Sequence, residues 1–153
     1  EPMGRACGYL AMTTAFCSAA DICTDPDIPY DLESIYKRLQ PVINEEGSCI
    51  IAVVAEGTRV AQYLTRWLTE RAGMDTRLTV LGHVQRGGSP TARDRLMGTR
   101  FATRAVEALN NGDINQIMVY HDGQYGYASL DSVAGQQYSV NQDIINLCRE
   151  LSC

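Results

Sequence analysis

The sequence predicts an α/β fold with a mostly parallel sheet flanked by helices. Cys49-Ile50-Ile51-Ala52-Val53-Val54-Ala55 is a continuous apolar run rich in β-branched residues, the pattern of a strand covered on both faces. Directly after it, Val60, Leu64, Trp67 and Leu68 fall on one stripe of an amphipathic helix from Val60 to Arg71. Strand-like and helix-length segments alternate along the rest of the chain, which is how layered α/β sheets are written.

Taken in order, Cys7 to Ala20 is rich in Ala, Leu and Met and reads as a buried helix. A short strand ends near Cys23 and is broken by Asp25-Pro26. Asp31 caps a helix that runs through Ile35 and Leu39 toward Pro41. After the apolar strand, Glu56-Gly57 is an abrupt stop. Thr76 to Leu81 alternates in the manner of a further strand. A glycine-rich loop leads to a long helix from about Thr91 to Leu109, closed by Asn110-Asn111-Gly112. Gln116 to Tyr120 reads as a strand, His121-Asp122-Gly123 as a turn, and Asn141 as the cap of a last helix to Leu151.

The bulk properties narrow the class. A length of 153 residues fits one domain, and 45% hydrophobic residues is ordinary for a globular protein. A net charge of -5 argues against broad nucleic-acid or membrane binding, both of which want a basic face. No apolar run approaches the roughly 20 residues needed to cross a bilayer. The start lacks the basic-then-apolar pattern of a secretory signal. The expectation is a soluble, cytoplasmic protein. Six cysteines (Cys7, Cys17, Cys23, Cys49, Cys148 and Cys153) include no C-x-x-C pair and no zinc-ligand spacing, so they read as reduced structural thiols. Asp25, Asp27 and Asp31 lack the glycine and terminal Glu of an EF-hand loop, and no metal site is expected.

In open α/β sheets, ligands bind beyond the carboxyl ends of the strands. Two polar signals lie there. One is Leu81-Gly82-His83-Val84-Gln85-Arg86-Gly87-Gly88-Ser89-Pro90, which carries one imidazole and one guanidinium into two glycines that let backbone approach a ligand. Ser89 is the expected helix cap with Pro90 near the first helical position, and a helix start attracts phosphate. Arg77, six positions before His83, adds a second guanidinium, and arginine grips phosphate through two parallel hydrogen bonds. Singly, Arg77 is a solvated edge residue and His83 a turn residue. Together with the glycines they describe an anion site, most naturally for phosphate. The other signal is Glu56, whose carboxylate accepts hydrogen bonds from sugar hydroxyls, or else serves as a helix cap leading into Val60. Met3-Gly4-Arg5 opens the chain, with Gly4 admitting close approach and Arg5 in reach of a phosphate.

These residues carry a resemblance. Leu81 to Arg95, with the Gly-His-x-Gln-Arg-Gly-Gly run followed by Asp94-Arg95, resembles the signature of the 6-phosphofructokinase family. Met3-Gly4-Arg5 with Cys7-Gly8-Tyr9-Leu10-Ala11 looks like that family's second substrate motif, and Ile51 to Gly57 like the strand delivering its sugar-binding glutamate. The similarity runs to about Gly112 and then weakens. It implies a three-layer α/β/α architecture, here incomplete at the N-terminus, with residues 1–153 as the sugar-phosphate-binding portion and the nucleotide-binding portion absent. It implies that Met3, Gly4, Arg5, Glu56, His83, Val84, Gln85 and Arg86 hold fructose 6-phosphate. Arg5 would also steady the transferring phosphoryl group, and Arg77 would reach the 6-phosphate in a neighbouring subunit, which makes an allosteric homo-oligomer (a homotetramer) the expected state.

Position 6 is Ala where the family carries a bulkier His or Tyr. The upstream Gly-Gly-Asp phosphate loop and the Thr-x-Asp-x-Asp segment with the catalytic base have no counterpart. Mg²⁺ and ATP are thus expected to be held by the full-length enzyme and not by this chain's own motifs, and the chain alone is expected to turn nothing over. The Gly-Tyr-Leu-Ala and Val-Ala-Glu-Gly forms lean toward ATP users and toward eukaryotic-type, longer sequences. The alternatives are a non-catalytic half binding an effector sugar phosphate, and a pyrophosphate-dependent enzyme.

Overall fold

The computed structural model describes residues 1–26, 28–136, 138 and 140–150, the last three by their backbone alone. Asp27, the expected helix end at Leu151, Cys153 and the side chain of Cys148 lie outside the described residues. The elements run α1 (Tyr9–Cys17), β1 (Ile22–Thr24), α2 (Leu32–Ile43), β2 (Ala52–Val54), α3 (Ala61–Ala72), α4 (Ala92–Asn110), β3 (Gln116–His121), β4 (Gln124–Ser129), α5 (Leu130–Val133) and α6 (Gln142–Glu150). Two compact units result. One holds Glu1–Arg86 and the chain from Tyr138 onward; the other holds Gly87–Gln137.

The first unit is a parallel strand pair with helices on both faces. Ile22, Cys23 and Thr24 of β1 lie opposite Ala52, Val53 and Val54 of β2. The pairing extends past both ends, since the Asp21 amide donates to the Ile51 carbonyl and the Ala55 amide to the Thr24 carbonyl. Alternation along β2 sends Val54 into a cluster with Ile22, Leu39, Ala61, Leu64 and Leu68. Val53 and Ala55 join Ala11, Ala15 and Ala20 on the opposite side. Val53 to Ala55 are therefore buried on both faces, while Cys49 and Ile51 at the start of the run stay exposed. The expected stripe of α3 is the packed one, with Val60 and Trp67 flanking the buried Leu64 and Leu68. Burying Leu64, 2% exposed, contributes about 1.5–3 kcal/mol. A third cluster joins Met12 of α1 to Val140, Ile144 and Ile145 around α6.

Local chemistry sets the boundaries. The Asp31 carboxylate accepts the Glu33 and Ser34 amides and starts α2. Pro41 lies inside that helix, which continues to Ile43. So close to the C-terminus, a proline forfeits a single ladder bond. Cys7, Cys17, Cys23 and Cys49 are in no disulfide bond. One expected element is absent: Thr76 to Leu81 is not a strand. Its backbone partner is Glu1, whose carbonyl accepts the Leu81 amide at 3.1 Å and whose nitrogen donates to the Thr79 carbonyl at 2.8 Å. A groove of about 930 Å³ is lined by Ala52, Val53 and Val54 on one side and Thr76, Leu78 and Thr79 on the other. Alternation alone makes no strand without an adjacent edge to bond, and Leu78 and Val80 stay 37% and 56% exposed.

In the second unit, α4 lies against an antiparallel hairpin. Ser89 is not its cap, contrary to the sequence expectation. Thr91 takes that place in a reciprocal box: its hydroxyl accepts the Asp94 amide while the Asp94 carboxylate accepts the Thr91 amide. Thr91 with an acid three residues on closes this pair, and Ser89 has Ala92 at that spacing. β3 and β4 pair from Gln116↔Ser129 to His121↔Gln124, joined by Asp122 and Gly123 at φ 48° and 82°, as a two-residue hairpin requires. β4 was not expected from the sequence. Phe101 and two guanidiniums from α4, Arg100 and Arg104, stack on Tyr125 of β4.

Candidate functional site

The site grows out of a turn at the start of the chain. Pro2 is buried, and Gly4 to Cys7 closes a four-residue turn in which the Cys7 amide donates to the Gly4 carbonyl at 3.0 Å. Arg5 is its first central residue and lies at φ 50°, in the left-handed region. For a side chain of this size that backbone costs about 1–2 kcal/mol, so something outside the turn has to hold it.

Glu56 supplies the hold. It follows the C-terminal end of β2, at the start of a single 3₁₀ turn, Glu56–Thr58, with Arg59 beyond it at φ 56°. Its Oε2 accepts the Gly4 amide at 2.9 Å and the Arg5 amide at 3.0 Å. Those amides draw the Glu56 carboxyl below its ordinary value, first Arg5 and then Gly4, with smaller contributions from the charges of Arg5 and Arg86. Gly57 makes the approach possible. A Cβ there would run into the Arg5 carbonyl and come within 2.7 Å of Pro26 Cγ.

The third piece is the Gly82–Gln85 3₁₀ turn. Gly82 enters it at φ 50° and Gly87 leaves it at φ 87°, conformations that suit glycine. The Arg86 amide closes on the His83 carbonyl at 2.9 Å. Gln85 turns back, and its Oε1 accepts the Met3 amide at 2.6 Å. Val84, 81% exposed, projects outward. Met3, Gly4, Arg5, Glu56 and Gln85 are therefore joined by hydrogen bonds. Arg86 is close enough for its charge to act on Glu56, and His83 shares the same short turn.

Arg77 is not joined to this group. Its guanidinium is 87% exposed and meets the Asp75 carboxylate at 3.3 Å. Ala6, where the resemblance implies a bulkier residue, is exposed. Sequence reasoning did not anticipate the Glu1–Leu81 backbone pairing or the left-handed Arg5. Among the described residues no group of three or more His, Cys, Asp or Glu side chains is arranged to hold a metal ion. No helix among them is long and apolar enough to cross a membrane.

The family model described as "Phosphofructokinase" matches residues 1–109. The chain belongs to the phosphofructokinase family. The ATP-dependent 6-phosphofructokinase of Sulfurovum sp. (strain NBC37-1) is 41% identical over 151 residues, covering 98% of this chain and 46% of its own length. That of Wolinella succinogenes is 37% identical over 152 residues, covering 99% and 47%. Among solved structures, Pichia pastoris phosphofructokinase in the T-state matches 98% of this chain at 25% identity and a TM-score of 0.64, over 17% of its own chain. The α/β fold of the family is thus shared. The chain spans about half the length of the curated relatives it matches.

Proposed function

We propose that this chain is the sugar-phosphate-binding part of an ATP-dependent 6-phosphofructokinase, which transfers the ATP γ-phosphoryl group to the 1-hydroxyl of fructose 6-phosphate in glycolysis. The observation that carries this reading is the meeting of Glu56 with the Gly4 and Arg5 amides, within range of the Arg86 charge. A carboxylate, two guanidiniums and an imidazole gathered on short turns offer a hexose its acceptors and a phosphate its donors. Glu56 keeps a second carboxylate oxygen for the sugar hydroxyls. His83 and Arg86 face the 6-phosphate. Arg5, with Met3 and Gly4 behind it, steadies the phosphoryl group in transfer, and Val84 and Gln85 complete the turn.

Arg77 fits a role in a neighbouring subunit, because its guanidinium and the Asp75 carboxylate it meets are both highly exposed and can be reached from another chain. That reading makes the working enzyme an allosteric homo-oligomer, for which the family resemblance implies a homotetramer. Mg²⁺ and ATP are assigned to the remaining half of the relatives' length. ATP is preferred over pyrophosphate because the named relatives are ATP-dependent. The enzyme is placed in the cytoplasm, with no nucleic-acid or membrane partner.

Calorimetry and a coupled assay test the proposal together. The chain alone binds fructose 6-phosphate and forms no fructose 1,6-bisphosphate from ATP. Co-expression with the N-terminal half of the Sulfurovum enzyme restores turnover. Absence of sugar-phosphate binding by the chain, combined with turnover that survives Arg86→Ala in the reconstituted enzyme, would refute it.

A further inference from the structure

Three successive backbone amides, those of Met3, Gly4 and Arg5, donate to side-chain oxygens and none donates to backbone. Pro2, just before them, has no amide to give. Met3 donates to Gln85 Oε1 at 2.6 Å, while Gly4 and Arg5 share Glu56 Oε2. Two side chains from separate turns thus clamp the segment that carries the left-handed Arg5. Gln85 also lies between His83 and Arg86, directly before Arg86. Its bond ties the turn carrying those two side chains to the turn carrying Arg5.

We propose that Gln85 is a positioning residue: its carboxamide oxygen, committed to the Met3 amide, fixes the spacing between Arg5 and the His83–Arg86 turn and does not itself contact the sugar. The proposal rests on the reading that these residues hold a phosphorylated hexose. It assigns Gln85 a task that the residue's place in the motif leaves open. The chemistry supports the assignment. A carboxamide oxygen at 2.6 Å from an amide nitrogen is already engaged with the protein, which gives this side chain a structural task that needs no ligand. Without the bond, the Met3 amide turns to water, and the left-handed Arg5 is held by Glu56 alone. The two guanidiniums then lose their fixed separation. A ligand bridging both sites feels that loss. A ligand held at one of them does not.

Gln85→Met keeps the length of the side chain and removes the acceptor. Two probes are compared by calorimetry, fructose 6-phosphate and inorganic phosphate. Gln85→Met is expected to weaken fructose 6-phosphate by about tenfold and inorganic phosphate by less than about twofold. Gln85→Glu retains an acceptor oxygen and restores the ratio of the two affinities, even though its charge weakens both. Hydrogen exchange followed by NMR gives a second reading that needs no ligand: the Met3 amide is protected in the wild type and in Gln85→Glu, and exchanges freely in Gln85→Met. Equal loss of both ligands in Gln85→Met would mean that Gln85 touches the anion, and would overturn the proposal. Unchanged Met3 exchange would overturn it as well. If the wild type bound neither probe while Met3 exchange behaved as expected, the sugar-phosphate reading would fail and the positioning role would stand.

Discussion

The amide of Arg5 and the carboxylate of Glu56 lie 3.0 Å apart across 51 positions of sequence, and the same oxygen takes the Gly4 amide at 2.9 Å. One side chain at the end of a strand therefore shapes the backbone of a turn far away in the chain. Removing it tests both the shape and the function. Glu56→Ala is expected to release Arg5 from its left-handed backbone and to weaken fructose 6-phosphate on the order of tenfold, because an acceptor for sugar hydroxyls and the hold on the turn vanish together. Glu56→Gln keeps an oxygen for the amides and should fall between Glu56→Ala and the wild type. Calorimetry on the three proteins checks the order. Equal affinity in Glu56→Ala and the wild type would separate Glu56 from the site.

Acidity reports on the same contact. The Glu56 carboxyl lies below its ordinary value of 4.5 because the Arg5 and Gly4 amides, and then the Arg5 and Arg86 charges, favour the ionised form. A carboxyl lowered in the folded state contributes stability that is complete above the ordinary value and is lost as pH falls through the lowered one. Protection of the Gly4 and Arg5 amides should therefore persist through pH 5 and disappear only below the ordinary carboxyl value of 4.5. NMR exchange rates across an acid titration give the answer. Loss of protection near pH 6 would mean that another group holds the turn.

Much of this architecture was legible, and its gaps have physical causes. The run from Cys49 to Ala55 announces a doubly covered strand because burial on both faces leaves no room for polar alternation, and Val53 and Val54 do enter separate clusters. The stripe Val60, Leu64, Trp67 and Leu68 is equally explicit. Thr76 to Leu81 misleads because a strand is defined by its neighbour, and the backbone it bonds here, that of Glu1, belongs to no strand. β4 was hidden because Gln124 to Ser129 is held by pairing with β3 and by guanidiniums stacked on Tyr125, contacts with no local pattern. The polar residues of the site were readable as chemistry. Their joining through the Met3, Gly4 and Arg5 amides was not, since it depends on backbone donors common to nearly every residue.

Gly57 carries a prediction of its own. The absent Cβ leaves room for the Arg5 carbonyl, and Pro26 stands at 2.7 Å from where that carbon would be. Backbone and a proline ring yield little, so Gly57→Ala should push the Met3–Arg5 turn away from Glu56. The expected destabilisation is about 1–3 kcal/mol, with the same loss of fructose 6-phosphate affinity as Glu56→Ala. Thermal unfolding and calorimetry measure the two effects. An alanine accepted without either change would show that the turn has freedom the packing denies it.

The start of α4 separates two candidate caps. Ser89 has the right chemistry and stands before Pro90, yet Thr91 accepts the Asp94 amide at 3.2 Å, and Asp94 returns a bond to the Thr91 amide at 2.8 Å. Reciprocal bonding satisfies two amides that the helix itself leaves open, and the serine two residues earlier has no part in it. Thr91→Ala is expected to cost about 1 kcal/mol and to lower the melting temperature by a few degrees. Ser89→Ala should stay within about 0.5 kcal/mol of the wild type. Chemical denaturation of both variants decides the matter. A larger loss for Ser89→Ala would move the helix start back by two residues and take the reciprocal box with it.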